Sequence, residues 1–204
     1  MPAELMVPIW AERAEPTAWH PHHIAERYGL MTIIVLGESV LSATLAIQSA
    51  LDAGESAPAL VGLMVGGLLV LFSMWWIYFE VPAHGLLASS GAAFLWGYGH
   101  LLIFASTAAV GAGIAVGADL IAGRAHVSAR ATGAAVAVPV AFYVLCVWAL
   151  HIRPRRRGGQ STAMFLGTAV LVLATPLLPG TVMFIGFLLS GLVALLIVTG
   201  SAKR

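Results

Sequence analysis

The sequence contains no asparagine, a single lysine, a single cysteine and few charged residues of either sign. Without asparagine there is no N-glycosylation site, and Cys146 has no second cysteine for an internal disulfide or a Cys-x-x-Cys metal site. Charged residues make up 9% of the chain, whereas soluble domains contain about 25%. Apolar residues make up 60%. This excess of apolar surface predicts an integral membrane protein.

Long apolar segments account for most of the chain. A membrane-spanning helix needs about 20 mostly apolar residues, and no segment alternates with the period of two that is typical of a barrel strand. The predicted fold is therefore all-α, a polytopic transmembrane helix bundle of about six spans. A polar, proline-broken lead over residues 1–23 precedes a bundle over residues 24–200, with spans at 28–50, 58–79, 91–121, 131–151, 162–178 and 181–199.

Basic residues are concentrated at one set of span ends, and short cytoplasmic loops are enriched in Arg and Lys. We therefore predict a multi-pass protein of the cell membrane with both termini, including the tail over residues 201–204, on the cytoplasmic side. The arginine run after the fourth span is interpreted as a topology anchor rather than a nucleic-acid site, because no aromatic residues interleave it. The predicted cytoplasmic side has Arg13, Arg27, Arg153, Arg155, Arg156, Arg157, Lys203 and Arg204, and the other side has Arg124 and Arg130.

Two ionisable residues fall well inside predicted spans. Glu38 lies near the middle of the first span, beside Ser39, and His100 lies about 13 Å into the third span by its helical rise. Because charged groups at membrane depth are costly, they usually face the bundle interior. The two spans enter from the same side, so Glu38 and His100 are expected at similar depths. They are interpreted either as a proton or cation site or as a structural hydrogen bond between helices.

The second span ends in a group of aromatic residues that is followed by Glu80. Tryptophan and tyrosine side chains are typical of the membrane interface, where their polar ends reach the headgroups. In the predicted topology Glu80 and Arg27 both lie near the cytoplasmic boundary. We therefore predict an ion pair between them, and Glu80 is a further candidate for the polar interior site.

Polar side chains are densest just before and at the start of the first span, where His20, His22, His23, Glu26 and Arg27 follow closely. Three histidines could bind a divalent metal, but a proline splits them and their spacing is not that of an HExxH motif. We interpret these residues as a polar cytoplasmic cap. Neither a metal site nor a cofactor is predicted.

Small residues spaced four apart occur on three of the predicted spans. Such pairs let helix backbones approach closely, although glycine is also tolerated generally in membrane helices. Pro139, in the middle of the fourth span, removes a backbone hydrogen bond and predicts a kink. The pairs are Gly62 and Gly66, Gly113 and Gly117, and Gly186 and Ser190.

The segment over residues 23–39, from His-Ile-Ala-Glu-Arg-Tyr-Gly-Leu to Gly-Glu-Ser, resembles the signature of the bacterial low temperature requirement A family. Residues 76–80 and 98–100 resemble two further elements of that family. The resemblance covers residues 19–200 and corresponds to the C-terminal half of a typical member. It implies a bacterial multi-span membrane protein linked by name to growth in the cold. It also implies either a short relative or a bundle that another copy or a partner completes.

Two functions of different classes stay open. The first is a transporter or channel that moves a proton, an ion or a small solute past Glu38, Ser39, His100 and Glu80. The second is a structural or accessory membrane module without transport activity. An enzyme is not expected, because no GxSxG, HExxH, P-loop or dinucleotide-binding glycine pattern occurs. The expected partners are the lipid bilayer and either a second copy or another membrane protein, but no nucleic acid.

Overall fold

The structure, a computed structural model, describes residues 2–15, 20–54, 57–87, 89–154 and 159–201. Within these ranges the chain forms α-helices, short 3-10 turns at His84–Leu86 and Thr175–Leu177, a π-helical turn at Trp148–Ile152, and no strand. The helices are α1 (Pro2–Ala14), α2 (Pro21–Asp52), α3 (Ala57–Phe79), α4 (Ser90–Ile121), α5 (Ala129–Val147), α6 (Gly159–Ala174) and α7 (Thr181–Ser201).

Six helical segments of the described chain are long and apolar enough to cross a membrane, which confirms the predicted all-α transmembrane bundle. The spans are longer than predicted at several ends. α2 and α4 contain 32 residues each, about 48 Å of helix against a hydrocarbon core of about 30 Å. Both helices are therefore longer than a perpendicular crossing of the hydrocarbon core requires. The segments are Pro21–Asp52, Pro58–Phe79, Ser90–Ile121, Ala129–Ile152, Gly159–Leu177 and Thr181–Gly200.

The N-terminal lead is more ordered than the sequence indicated, since it contains the helix α1. Pro8 lies inside this helix, where it has no N–H to donate. α2 then begins at Pro21, seven residues before the predicted span, because a proline at the first helical position has the required φ and loses no hydrogen bond. His20 caps this end, where its Nδ1 accepts a hydrogen bond from the His22 N–H at 3.3 Å.

α4 packs between α2 and α5, α3 packs against α2 and α7, and α6 completes the bundle against α5 and α7. Along α4 the fully buried positions beyond its first third are mainly aliphatic or glycine. The central layer of the bundle is therefore mainly apolar, and its buried residues include Ile103, Val110 and Ile114 of α4 and Val136 and Val140 of α5.

Two close helix contacts use glycines that the sequence had singled out. A Cβ atom on Gly113 of α4 would lie 2.5 Å from the carbonyl oxygen of Ala135 in α5. That carbonyl lies four residues before Pro139, so it has lost its usual helical N–H partner, and α5 nevertheless continues through the proline. A Cβ atom on Gly66 of α3 would lie 2.7 Å from the Met183 nitrogen of α7. The glycines therefore permit backbone contact between helices.

Candidate functional site

Polar and aromatic side chains from four helices meet inside the bundle near one end. Tyr28 comes from the start of α2, Tyr78 from the end of α3, His100 from the first third of α4, and His151 from the π-helical turn after α5. The His100 ring lies 4.9 Å from that of Tyr28, 5.7 Å from that of Tyr78 and 5.3 Å from that of His151, centroid to centroid. His100 is 0% exposed and His151 is 1% exposed. We call these four residues the histidine–tyrosine cluster.

The hydrogen bonds of His100 define its tautomer. Its Nδ1 lies 2.7 Å from the carbonyl oxygen of Trp96, which can only accept a hydrogen bond. Nδ1 therefore carries the proton, and Nε2 of the neutral ring is an acceptor. Nε2 lies 2.9 Å from the hydroxyl of Tyr78 and 3.3 Å from Nε2 of His151. Two possible donors thus converge on one lone pair.

Aromatic rings enclose His100 on several sides. The Trp96 ring, one helical turn before it, lies at a centroid distance of 3.9 Å, and the Phe104 ring, one turn after it, lies at 5.7 Å. Trp96 is also stacked on His151, at 5.6 Å. The immediate surroundings of His100 are therefore largely aromatic.

The π-helical turn at Trp148–Ile152 positions His151. Arg153 N–H donates to the carbonyl oxygen of Trp148 at 2.8 Å, which is the i to i−5 bond that defines such a turn. The turn contains one more residue than an α-helical turn, so it rotates the following side chains relative to an ideal helix. His151 and Ile152 consequently face the interior, while Arg153 is exposed and its guanidinium lies 5.6 Å from the Trp148 ring centroid.

A cavity of about 380 Å³ lies beside the cluster, between α1, α2 and the start of α4. Tyr28 forms part of its wall and also contacts His100, so this side chain separates the cavity from the buried imidazole. A Cβ atom on Gly97, another residue of the wall, would lie 2.8 Å from the Tyr28 hydroxyl oxygen. Glu12 and Arg27 contribute charge to the cavity.

Glu38 does not belong to this cluster. Its side chain is exposed on the outer face of α2, so the prediction of an interior position within the single chain is wrong. The prediction of equal depth is wrong as well, because it is Tyr28, ten residues earlier, that lies beside His100. Ten residues correspond to about 15 Å along a helix. The error arose because α2 begins seven residues before its predicted span while α4 begins only one residue before, so counting from the predicted starts misaligned the two helices.

Ser39, the residue after Glu38, does face the interior. It is 3% exposed and its hydroxyl proton is shared between the carbonyl oxygens of Val35 at 2.9 Å and Thr107 at 3.1 Å. Because Thr107 belongs to α4, this bond joins α2 to α4. A Cβ atom on Gly111 would lie 2.8 Å from the Ser39 Cα atom, so the two helices also touch there.

The predicted polar cap lies at the same end of the bundle as the cluster. His23 Nδ1 lies 3.7 Å from a carboxylate oxygen of Glu26, although both side chains are largely exposed. The ring of His22 lies 5.0 Å from that of His84, in the turn after α3. Within the described ranges no three His, Cys, Asp or Glu side chains converge in a metal-binding arrangement.

Glu80 is half-buried just after α3, and its predicted ion pair with Arg27 stays a prediction. Of the predicted topology anchors the structure describes only Arg153, whereas Arg155, Arg156 and Arg157 lie outside the described residues.

Sequence reasoning missed Tyr78 and His151 as site residues. Tyr78 was taken for a residue of the interfacial aromatic belt, and His151 for the end of a span. The alternating direction of successive spans contained the missing information. Because each span crosses the membrane in the opposite direction to the one before it, the end of α3, the start of α4 and the end of α5 must lie on one side of the membrane. Polar aromatic residues at these ends could therefore have been grouped with His100.

The fold and the cluster define a polytopic α-helical membrane protein with a buried polar site near one membrane face. The sequence profile of the family described as bacterial low temperature requirement A protein (LtrA) matches residues 1–201. The chain belongs to this family. The match extends to both sides of residues 19–200, which the sequence motifs had indicated. No curated protein and no solved structure matches the chain.

Proposed function

We propose that this LtrA-family protein is a non-enzymatic transporter or channel, and that the histidine–tyrosine cluster takes up and releases the proton that it moves or to which it couples a solute. One observation carries the proposal: two imidazoles, His100 and His151, are in hydrogen-bond contact in the bundle interior at 3.3 Å. Imidazole is the side chain that exchanges a proton most readily near neutral pH. A purely structural contact between helices would need only one hydroxyl or amide group.

The geometry provides hydrogen bonds for both protonation states of His100. In the neutral state, Tyr78 or His151 donates to its Nε2. When Nε2 gains a proton it becomes a donor, and the Tyr78 oxygen at 2.9 Å or His151 Nε2 at 3.3 Å can accept. His100 Nε2 therefore has a hydrogen-bond partner in either charge state.

The neighbouring cavity suggests the route of exchange. It reaches Tyr28, whose ring is in edge contact with that of His100. A side-chain rotation of Tyr28 would connect the cavity to the cluster without movement of a helix. In the proposed topology this cavity opens toward the cytoplasm, and both termini lie on that side. The distribution of arginine and lysine supports this orientation.

Proton flux into liposomes tests the proposal. The purified protein is reconstituted with an internal pH-sensitive dye, and a potassium gradient with valinomycin sets the membrane potential. His100→Gln, which keeps a hydrogen-bonding side chain but cannot titrate, is expected to reduce the flux by on the order of tenfold or more. The matched control is His84→Gln, an exposed histidine at the same end of the bundle, which is expected to leave the flux unchanged.

Two results would overturn the proposal. One is a flux of the native protein no greater than that of empty liposomes, in a sample with native helicity and a single size-exclusion peak. The other is an undiminished flux in folded His100→Gln. If that variant does not fold, His151→Gln takes its place, since it removes the other imidazole of the pair and keeps a hydrogen-bonding side chain.

The second candidate is an accessory membrane module, and one observation favours it. Beyond Ser39 and Thr107 the interior layer formed by α4 and α5 is aliphatic. A solute that crossed the single chain would have to pass this layer, which requires helix movement. On this alternative the cluster only fixes the packing of α3, α4 and α5, and native liposomes would show no flux.

A further inference from the structure

The outer face of α2 differs from the other exposed helix faces of the bundle. The outer faces of α6 and α7 present aliphatic and aromatic side chains to the membrane, among them Val170, Phe187 and Val198. α2 presents Leu41 and Leu45 in the same way, with exposures of 51% and 57%, but between and beside them it exposes Glu38 and Ser42. α2 therefore has polar groups on a surface that would otherwise be suited to lipid.

Glu38 lies near the middle of the membrane. Tyr28, ten residues before it, is level with His100 and with Tyr78 in the last turn of α3. Ten residues of helix place Glu38 about 15 Å deeper, which is half of a hydrocarbon core of about 30 Å. A contact farther along α2 agrees, since Val40 and Leu71 line the same cavity and Leu71 lies near the middle of α3.

Within the described part of the chain, Glu38 makes no hydrogen bond or ion pair. A carboxyl group facing hydrocarbon at this depth is costly whether it is ionised or merely polar. Polar side chains at such positions are usually paired with a group on another helix. No described residue of the chain supplies such a group to Glu38.

We propose that this face of α2, formed by Gly37, Glu38, Leu41, Ser42 and Leu45, is the interface of a homodimer. Copies inserted in the same orientation can be related by a two-fold axis along the membrane normal, so each residue meets its counterpart at the same depth. Glu38 would then lie beside Glu38 and Ser42 of the second copy. A carboxyl that retains its proton can donate to either of them and can also accept, so the face is complementary to itself.

The shape of the face allows a close approach. A Cβ atom at Gly37 would contact nothing within 4 Å, so a shallow depression flanks Glu38 on the exposed side. Two leucines, Leu41 and Leu45, lie one and two turns farther along and would supply apolar contacts. A second copy supplies the missing partner without requiring an unidentified basic helix.

Disulfide cross-linking in liposomes tests the interface. In a Cys146→Ala background, Leu41→Cys places a thiol at the proposed axis, and Phe187→Cys places one on the exposed face of α7 at a similar depth. Under an oxidising catalyst at low protein-to-lipid ratio, Leu41→Cys is expected to give a covalent dimer and Phe187→Cys is not. Adding Glu38→Leu to Leu41→Cys should reduce the dimer fraction by about tenfold, whereas Glu38→Gln, which still forms hydrogen bonds, should largely retain it.

Four outcomes would overturn the inference, three of them in the cross-linking test. These are equal cross-linking from the two faces, a monomer at every protein-to-lipid ratio, and an unchanged dimer after Glu38→Leu. A stable complex with a different membrane protein that excludes a second copy would overturn it too. Because Glu38 lies on the outer surface, Glu38→Leu should fold normally, which the size-exclusion profile and helicity verify. The test needs no transport activity, so its result is independent of the proposed function.

Discussion

The bundle interior near the start of α4 is crowded with hydrogen-bonding side chains, whereas the same helix two to four turns farther along has glycines and aliphatic residues. At the first level, that of the histidine–tyrosine cluster, His100 contacts two hydrogen-bonding side chains and a backbone carbonyl. At the second level, that of the central layer, Gly111 and Gly113 let α4 touch the backbones of α2 and α5. The two levels use the two kinds of helix association that are available where lipid provides no hydrophobic driving force.

The two levels of the bundle also differ in whether their contacts can be rearranged. Backbone contact through glycine leaves no room for a larger side chain, so a substitution in the central layer must separate the helices. In the histidine–tyrosine cluster, by contrast, the hydrogen-bonding side chains can exchange donor and acceptor roles.

The largest effect is expected in the central layer. Gly113→Ala places a Cβ atom 2.5 Å from the Ala135 carbonyl oxygen, a backbone atom that cannot rotate away, so α4 and α5 must separate. We expect the free energy of unfolding to fall by about 1–3 kcal/mol. Unfolding in detergent micelles, followed by tryptophan fluorescence, measures the change.

The matched control is Gly191→Ala on α7, where a Cβ atom would meet nothing within 4 Å. There the higher helix propensity of alanine should leave stability unchanged or raise it by up to about 1 kcal/mol. If both substitutions had the same effect, the close contact between α4 and α5 would not be a source of stability, and the contrast between the two levels would disappear.

A smaller effect is expected in the cluster. Tyr78→Phe removes the hydroxyl that lies 2.9 Å from His100 Nε2, but His151 stays within reach of the same nitrogen. The loss of unfolding free energy should therefore be about 0.6–1.5 kcal/mol. Nitrogen-15 spectra of the histidine side chains should show a changed His100 Nε2 signal, with Nδ1 still protonated. A spectrum in which Nε2 carried the proton in the neutral ring would contradict the assigned tautomer.

The smallest effect is expected outside both levels, at the far end of α4. Arg124 Nη2 lies 2.8 Å from a carboxylate oxygen of Asp119, but both side chains are about 40% exposed. Arg124→Ala should change the free energy of unfolding by less than about 1 kcal/mol, and less again in high salt, because water and ions screen an exposed pair. A larger loss that persisted in high salt would mean that this loop contributes to the core.

Much of the fold follows from composition, because a chain with 60% apolar residues and proline- or glycine-marked breaks can only place its helices in lipid. The ends of α3 and α7 were predicted closely for this reason. The start of α2 was not, because hydropathy records where apolar residues begin and not where the helix begins. Pro21 and the capping His20 set that start through backbone geometry.

The site was only half predictable. Glu38 and His100 were identified because an ionisable side chain at membrane depth costs free energy. Depth alone, however, does not indicate which face of a helix a residue occupies. Only the packing of α2 against α4 shows that Ser39 faces inward and that Glu38 faces outward. His151 was not identified because its inward direction depends on a π-helical turn, which has no reliable sequence signature.

The π-helical turn at Trp148–Ile152 has a consequence for how relatives should be aligned. A turn closed by an i to i−5 bond holds one residue more than its α-helical equivalent, so removing a single residue there would restore a regular helix. Every side chain beyond the deletion would then be turned by about 100° around the axis. A relative that lacks the extra residue could have the same amino acids on both sides of the turn and still direct its histidine toward lipid. In an alignment, a one-residue gap near the end of this span is therefore more informative than the identity of the neighbouring residues.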